Sequence, residues 1–221
     1  PFAKWFVGGT TNLCHNAVDR HLKDRADQAA LIFVSTETNQ EKVYSFRELH
    51  TEVQRMAAVL KDLGVQKGDR VLIYMPMIPE AAFAMLACTR LGAIHSVVFG
   101  GFASGALASR IEDSAPRVIV SADGGLRGGK AVEYKPLLDE AIRLSSHKPE
   151  SVLLVDRQVA PMPLVEGRDR LWAPLREKHL NATVPCQWVD ATHPSYTLYT
   201  SGTTGKPKGV QRDTGGYAVA L

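Results

Sequence analysis

In "VLIYMPMIPEAAFAMLACTRLGAIHSVVFG", Val71 to Gly100, the part Val71–Cys88 holds a single charge, Glu80, and is at first sight long enough to cross a bilayer. Two prolines decide otherwise. Pro76 and Pro79 cut the run, so Val71–Met75 reads as a buried strand, Pro76–Ile78 as a turn, and Glu80–Leu91 as a helix that starts near Pro79 and stops at Gly92. Ile94–Phe99 then reads as a second strand. A strand, a helix and a strand in close succession form the repeating unit of an α/β fold with a largely parallel sheet flanked by helices.

The same alternation extends outward. Further strands are predicted at Ala30–Ser35, Val118–Ser121, Val152–Val155 and Tyr196–Thr200. "SFRELHTEVQRMAAVLKDLG" opens with a capping box, Ser45 and Glu48, and closes on Gly64. Another helix spans Ser104–Ser114 and ends before Pro116. "NLCHNAVDRHL" places Leu13, Ala17, Val18 and Leu22 on one helical face. Between Arg157 and Pro194 the periodicity weakens, which predicts a connector, or a subdomain boundary, holding one short helix near Leu171–Lys178.

Composition excludes several classes. With 221 residues, 45% of them hydrophobic, the chain can bury a sizeable core. A net charge of +3 with dispersed basic residues argues against nucleic acid or a membrane surface as partner. Cys14, Cys88 and Cys186 are too scattered for a disulfide framework or a zinc motif, so a reducing compartment is expected. No His, Glu and Asp combination has metal-ligand spacing, and no nucleophile elbow occurs. The opening "PFAKWFVGGTTNL" lacks the apolar core of a signal peptide. The final "GGYAVAL" is an apolar run, from which we expect a piece of a longer polypeptide.

Two glycine-rich segments are candidates for holding phosphate. In "DGGLRGGKA", Gly124, Gly129 and Lys130 fit the G-x-x-x-x-G-K part of a P-loop, but Ala131 replaces the Mg²⁺-binding hydroxyl and Pro136 follows closely. The segment reads as a P-loop near miss, as a surface turn, or as a phosphate site made by Arg127 and Lys130 over exposed backbone N–H groups. "YTSGTTGKPKGV", Tyr199–Val210, is different: it has only two residues between Gly202 and Gly205, and Pro207 follows Lys206. A strand enters it, its glycines permit close approach, and its hydroxyls and lysines suit a polyphosphate.

"YTSGTTGKPKG" resembles the phosphate-binding signature of the adenylate-forming enzymes. "WFVGGTTNLCHNAVDRHL", "VVFGGFA", "SADGGLRGGK" and "GVQRDTGGYAVAL" extend the likeness over the chain and resemble the short-chain acyl-CoA synthetases within that superfamily. The phrasing of "QRDTGGYAVAL" is closer to propionate-activating than to acetate-activating members. The resemblance implies the N-terminal part of a large AMP-binding domain, and a cytoplasmic enzyme, or a matrix enzyme in mitochondria. It uses ATP with Mg²⁺ and coenzyme A to convert a short carboxylate, through an acyl-adenylate, to its CoA thioester.

Carried over position by position, Thr200, Ser201, Gly202, Thr203, Thr204, Gly205 and Lys208 match the ATP-phosphate signature, with Lys206 at its more variable position. Arg127, Gly128, Gly129 and Lys130 match positions that bind the nucleotide end of CoA, where Arg is more usual than Lys at the last. Phe99, Gly100 and Gly101 match a segment lying along CoA. The resemblance also implies an adenylation lysine beyond Leu221 and a chain incomplete for catalysis alone. The rivals are an acetate-CoA ligase, a nucleotide- or CoA-binding module without catalysis, and a P-loop NTPase using Gly124–Ala131.

Overall fold

The computed structural model describes residues 5–36, 38–200 and 207–220. Its first elements are small: β1 (Thr10–Thr11), α1 (Leu13–Ala17), a 3-10 turn at Asp19–His21, and α2 (Leu22–Arg25). The single amphipathic helix predicted here is broken at Val18, whose φ of −127° and ψ of −65° lie outside the helical region. Tertiary bonding outweighs the apolar pattern. The Asn12 side chain accepts from the His15 N–H and donates to the carbonyls of Thr89 and Gln187, while Asp19 is drawn to Arg90. Cys14 and Val18 are buried, so Val18 alone of the expected face reaches the core.

β2 (Ala29–Ser35) and β3 (Gln40–Ser45) pair as an antiparallel hairpin. The strand predicted at Ala30–Ser35 therefore exists, but it stands apart from the parallel sheet and leaves Ile32 and Val34 exposed. Ser45 caps α3 (Phe46–Asp62): its hydroxyl accepts from the Glu48 N–H, and the Glu48 carboxylate accepts from the Ser45 N–H at 2.8 Å. Such a box satisfies two backbone donors that the helix itself leaves unpaired.

β4 (Arg70–Met75), α4 (Pro79–Leu91) and β5 (Ile94–Phe99) follow the reading of Val71–Gly100. Pro79 sits in the first turn of α4, where its missing N–H costs nothing, and Gly92 closes the helix at φ 70°. After α5 (Ser104–Ser114) and β6 (Val118–Ala122) come β7 (Gly124–Arg127), β8 (Lys130–Glu133), α6 (Tyr134–Leu144) and β9 (Ser151–Val155). The remaining elements are β10 (Asp169–Leu171), α7 (Trp172–Lys178), β11 (Val189–Asp190), β12 (Pro194–Thr200), β13 (Lys208–Asp213) and α8 (Thr214–Ala220).

Seven strands form the main sheet in the order β10-β9-β6-β4-β5-β12-β13, parallel throughout except for the β12–β13 pair. Alternation along β4 divides the core. Val71, Ile73 and Met75 face a layer built by α3 and α4, with Val53, Met56, Phe83 and Ala87. Leu72 and Tyr74 face a second layer built by α5 and α6, with Leu107, Ile111, Leu138 and Ile142. A strand buried on both faces reads as a continuous apolar run, which is why Val71–Met75 resembles part of a membrane span. No helix among the described residues is long and apolar enough to cross a membrane.

The segment Gly124–Ala131 lies in a β-hairpin with a two-residue turn, which rules against the P-loop reading. Arg127 pairs with Lys130, and Gly128 and Gly129 occupy the turn at φ 58° and 75°, the left-handed geometry that such turns require. No helix follows the glycines directly. α6 begins only at Tyr134, after β8, with Pro136 accommodated in its first turn.

Candidate functional site

β4 and β5 are neighbours whose outgoing connections diverge: α4 returns over one face of the sheet and α5 over the other. A crevice opens between carboxyl ends wherever connections part in this way. Here it is a cleft of about 590 Å³ lined by Met75–Ile78 from the end of β4, Val97–Gly101 from the end of β5, and Gly125, Leu126 and Arg127 from β7, with Val132, Tyr134 and Arg157. Met77 and Phe99, 91% and 63% exposed, hold large apolar side chains at the rim.

Two glycines make the floor possible. The buried Tyr134 ring lies so close to Gly100 and Gly125 that a Cβ at either would overlap it; at Gly125 the new carbon would sit 2.7 Å from the phenol oxygen and 3.5 Å from Pro76 Cβ. Tyr74 stacks against Tyr134 at 5.0 Å between ring centroids and donates its hydroxyl to the Phe102 carbonyl. Burial, reinforced by Tyr134, pushes the Tyr74 phenol up to about 12, so it stays neutral.

Asp123 ties a further wall in place. Its buried Oδ2 accepts from the backbone N–H groups of Val159 (2.6 Å) and Ala160 (3.0 Å), and its carbonyl accepts from the Tyr134 N–H. That clasp brings Arg157 to the cleft, where Nη1 donates to the Gly124 carbonyl at 2.9 Å. Behind the floor, the wholly buried Lys135 pairs with Asp139 and with Asp169 (3.0 Å), fastening α6 to β10.

Of the residues singled out by sequence, Phe99, Gly100, Gly101 and Arg127 line this cleft together. Gly128, Gly129 and Lys130 form the exposed hairpin tip beside it. Arg127 and Lys130 are cross-strand partners on one side of that hairpin, and like charges placed so repel unless an anion lies between them. Thr200 and Lys208 are likewise cross-strand partners, at the end of the β12–β13 hairpin. Because Tyr196 pairs in parallel with His95, Thr200 reaches the same edge of the sheet as Phe99. Ser201, Gly202, Thr203, Thr204, Gly205 and Lys206 lie outside the described residues. The loop end of the hairpin is held by the Tyr199 hydroxyl donating to Asp113 (2.7 Å) and by Arg110, whose guanidinium lies 4.5 Å from the Phe102 ring centroid and 5.2 Å from that of Tyr199.

Arg157 and Tyr134 escaped sequence reasoning. A cation two residues past the end of β9 was the signal for Arg157, since ligands gather at strand carboxyl ends. A second cleft of about 600 Å³, between α1, α4 and β12, is lined mainly by apolar side chains, with no Lys or Arg among the described residues that line it. Its His95 is held down to about 4 by burial and is therefore neutral near pH 7. The first cleft, by contrast, is lined by Arg127 and Arg157.

The family described as "AMP-binding enzyme" matches residues 18–221. The chain is 62% identical over its whole length to the "Propionate--CoA ligase" of Salmonella typhimurium and 60% identical to that of Escherichia coli, covering 35% of each relative. It is 52% identical, over 98% of its length and 33% of the relative, to an "Acetyl-coenzyme A synthetase" of Methylobacterium radiotolerans. It thus spans about a third of the length of the curated relatives it matches. With a mostly parallel α/β sheet, a cationic cleft at its switch point and a family match over nearly all of its residues, this chain belongs to the AMP-binding enzyme family.

Proposed function

We propose that the polypeptide carrying this chain is an AMP-forming propionate–CoA ligase, and that the chain is the N-terminal part of its large domain. The observation that carries the reading is the convergence of Arg127 with Phe99, Gly100 and Gly101 in one cleft, beside the strand pair that bears Thr200 and Lys208. Relatives at 62% and 60% identity that are named propionate–CoA ligases support the choice of acid.

In the first half-reaction the propionate carboxylate attacks the ATP α-phosphorus and pyrophosphate departs. Negative charge grows on the leaving oxygens, so fixed donors and a lysine ammonium stabilise the transition state more than the ground state. Thr200, the 201–205 loop, Lys206 and Lys208 are the groups for that task, with Lys208 carrying more of it than Lys206. Mg²⁺ enters with ATP as part of the substrate. In the second half-reaction the CoA thiol attacks the acyl carbon and AMP leaves. Arg127, Lys130 and Arg157 supply cations for the phosphates of CoA, Gly128 and Gly129 let its backbone come close, and the Phe99–Gly101 segment lines its path. A cytoplasmic setting, or the matrix in a mitochondrion, fits substrates that are soluble metabolites.

The test is acid-dependent ATP–pyrophosphate exchange and thioester formation by the full-length protein with propionate, acetate and butyrate. Propionate should give the highest kcat/KM. An acetate preference would replace the substrate, and the absence of exchange with every acid would leave a binding module. One methylene is worth only about 1–3 kcal/mol in an apolar pocket, so the margin should be roughly 10- to 200-fold.

A further inference from the structure

Far from the cleft, the break in the N-terminal helix gathers two thiols, a carboxylate and a guanidinium. The sulfurs of Cys14 and Cys186 and a carboxylate oxygen of Asp19 all lie within 4.8 Å of one another. Cys14 donates to Asp19 Oδ2 at 3.9 Å and Cys186 to Oδ1 at 3.8 Å. Arg90 reaches both oxygens of the same carboxylate, at 2.9 and 2.8 Å, and its Nη1 stands 3.4 Å from the Cys14 sulfur. His50 approaches Asp19 Oδ1 at 3.5 Å. The two cysteines are 172 positions apart by number, 186 less 14, and belong to separate segments.

A metal ion would suit two sulfurs and a carboxylate, but the place of a cation is already filled. The Arg90 guanidinium engages both carboxylate oxygens and is anchored by Nε donating to the Val184 carbonyl at 2.5 Å. What remains is the pair of thiols beside a fixed positive charge, one buried and one partly open to solvent. That asymmetry divides the roles of attacking and resolving thiol.

We propose that Cys14 and Cys186 are a reversible redox pair, with Cys186 the thiol that meets a peroxide and Cys14 the thiol that resolves it. The Cys186 thiolate attacks one oxygen of hydrogen peroxide, forming sulfenic acid and releasing hydroxide. The Cys14 sulfur then attacks that sulfenic sulfur, a water leaves, and a disulfide joins α1 to the segment before β11. Two thiols are oxidised by two electrons and one peroxide is reduced to two waters. The electrostatics agree: once Cys186 is a thiolate the one Cys14 S–H turns to it from Asp19, and that hydrogen bond and then the Arg90 charge lower the Cys186 thiol against partial burial and Asp19, whereas Cys14 is raised by that same hydrogen bond and by burial. Cys88, raised by complete burial in the core, serves as the internal control.

The experiment treats the reduced full-length protein with hydrogen peroxide, alkylates it under denaturing conditions and maps the peptides. A Cys14–Cys186 cross-linked peptide, abolished by dithiothreitol and accompanied by fully alkylated Cys88, is expected. In Cys14→Ser, dimedone should label Cys186 as a sulfenic acid several-fold more than in the wild type. Full alkylation of both cysteines after peroxide overturns the proposal. So does passage of Cys186 to sulfinic acid without the cross-link, or stoichiometric bound zinc that shields both thiols.

Discussion

Gly125→Ala, combined with Tyr134→Phe, tests the floor of the cleft. The alanine methyl would lie 2.7 Å from the Tyr134 oxygen, 3.1 Å from the ring carbon bearing it and 3.5 Å from Pro76 Cβ. The ring cannot simply retreat, because Tyr74 packs against it and Tyr134 opens α6 directly after β8. Overpacking of this kind costs about 1–3 kcal/mol, offset in part by about 0.5–1 kcal/mol from the lower chain entropy of alanine. The net single-site loss is therefore about 0–2.5 kcal/mol. Removing the phenol oxygen takes away the nearest clash and leaves the ring carbon, so the double variant should recover at least about 1 kcal/mol relative to additivity. Urea denaturation of the full-length protein, following the transition of the domain that contains β7, measures the cycle. Gly125→Ala alone should also raise the apparent CoA constant, since Gly125 and Tyr134 both line the cleft. Additivity within about 0.3–0.5 kcal/mol would refute the wedge.

Asp123→Ala should release the 156–160 segment and with it Arg157, costing about 1–3 kcal/mol for the two buried hydrogen bonds and weakening CoA more than ATP, as read by separate KM values. Lys135→Met removes one partner of a buried ion network and should lower stability by about 3–5 kcal/mol, because Asp169 then loses its lysine and keeps Arg168 and the Val165 N–H; an unchanged melting temperature would contradict this. His95 supplies a pH dependence. Burial holds its folded value near 4 while the unfolded chain titrates near 6.5, so the unfolded state binds more protons between these values. Stability is full above pH 6.5 and falls as the pH drops toward 4, by about 2 kcal/mol at pH 5; His95→Gln should flatten that part of the profile in denaturant titrations.

Much of the fold is written locally. Pro79 and Gly92 delimit α4, Ser45 and Glu48 start α3, and the runs of β4, β6 and β9 are continuous because both faces of each strand are covered. Failures of the local reading occur where a distant partner decides. The early helix breaks because Asn12 and Asp19 bond to the end of α4, which no window around residue 18 contains. β2 carries an apolar run but, among the described residues, pairs only with β3. At 124–131 two signals compete, the P-loop spacing and the Gly128-Gly129 pair, and the backbone follows the pair because both residues take positive φ. Arg127 and Phe99–Gly101 were legible through the family likeness. Arg157 and Tyr134 were not, since they join the cleft only when β6, β9 and α6 are assembled.

The central claim is that the cleft at the ends of β4 and β5 receives CoA through Arg127. Arg127→Ala in the full-length protein separates the half-reactions: propionate-dependent ATP–pyrophosphate exchange needs no CoA, and thioester formation does. Losing a charged hydrogen-bonding partner worth about 1.5–3 kcal/mol should raise the apparent CoA constant roughly 10- to 150-fold while exchange stays within about twofold of wild type. An unchanged CoA constant, or a parallel fall in exchange and thioester formation, would contradict the account.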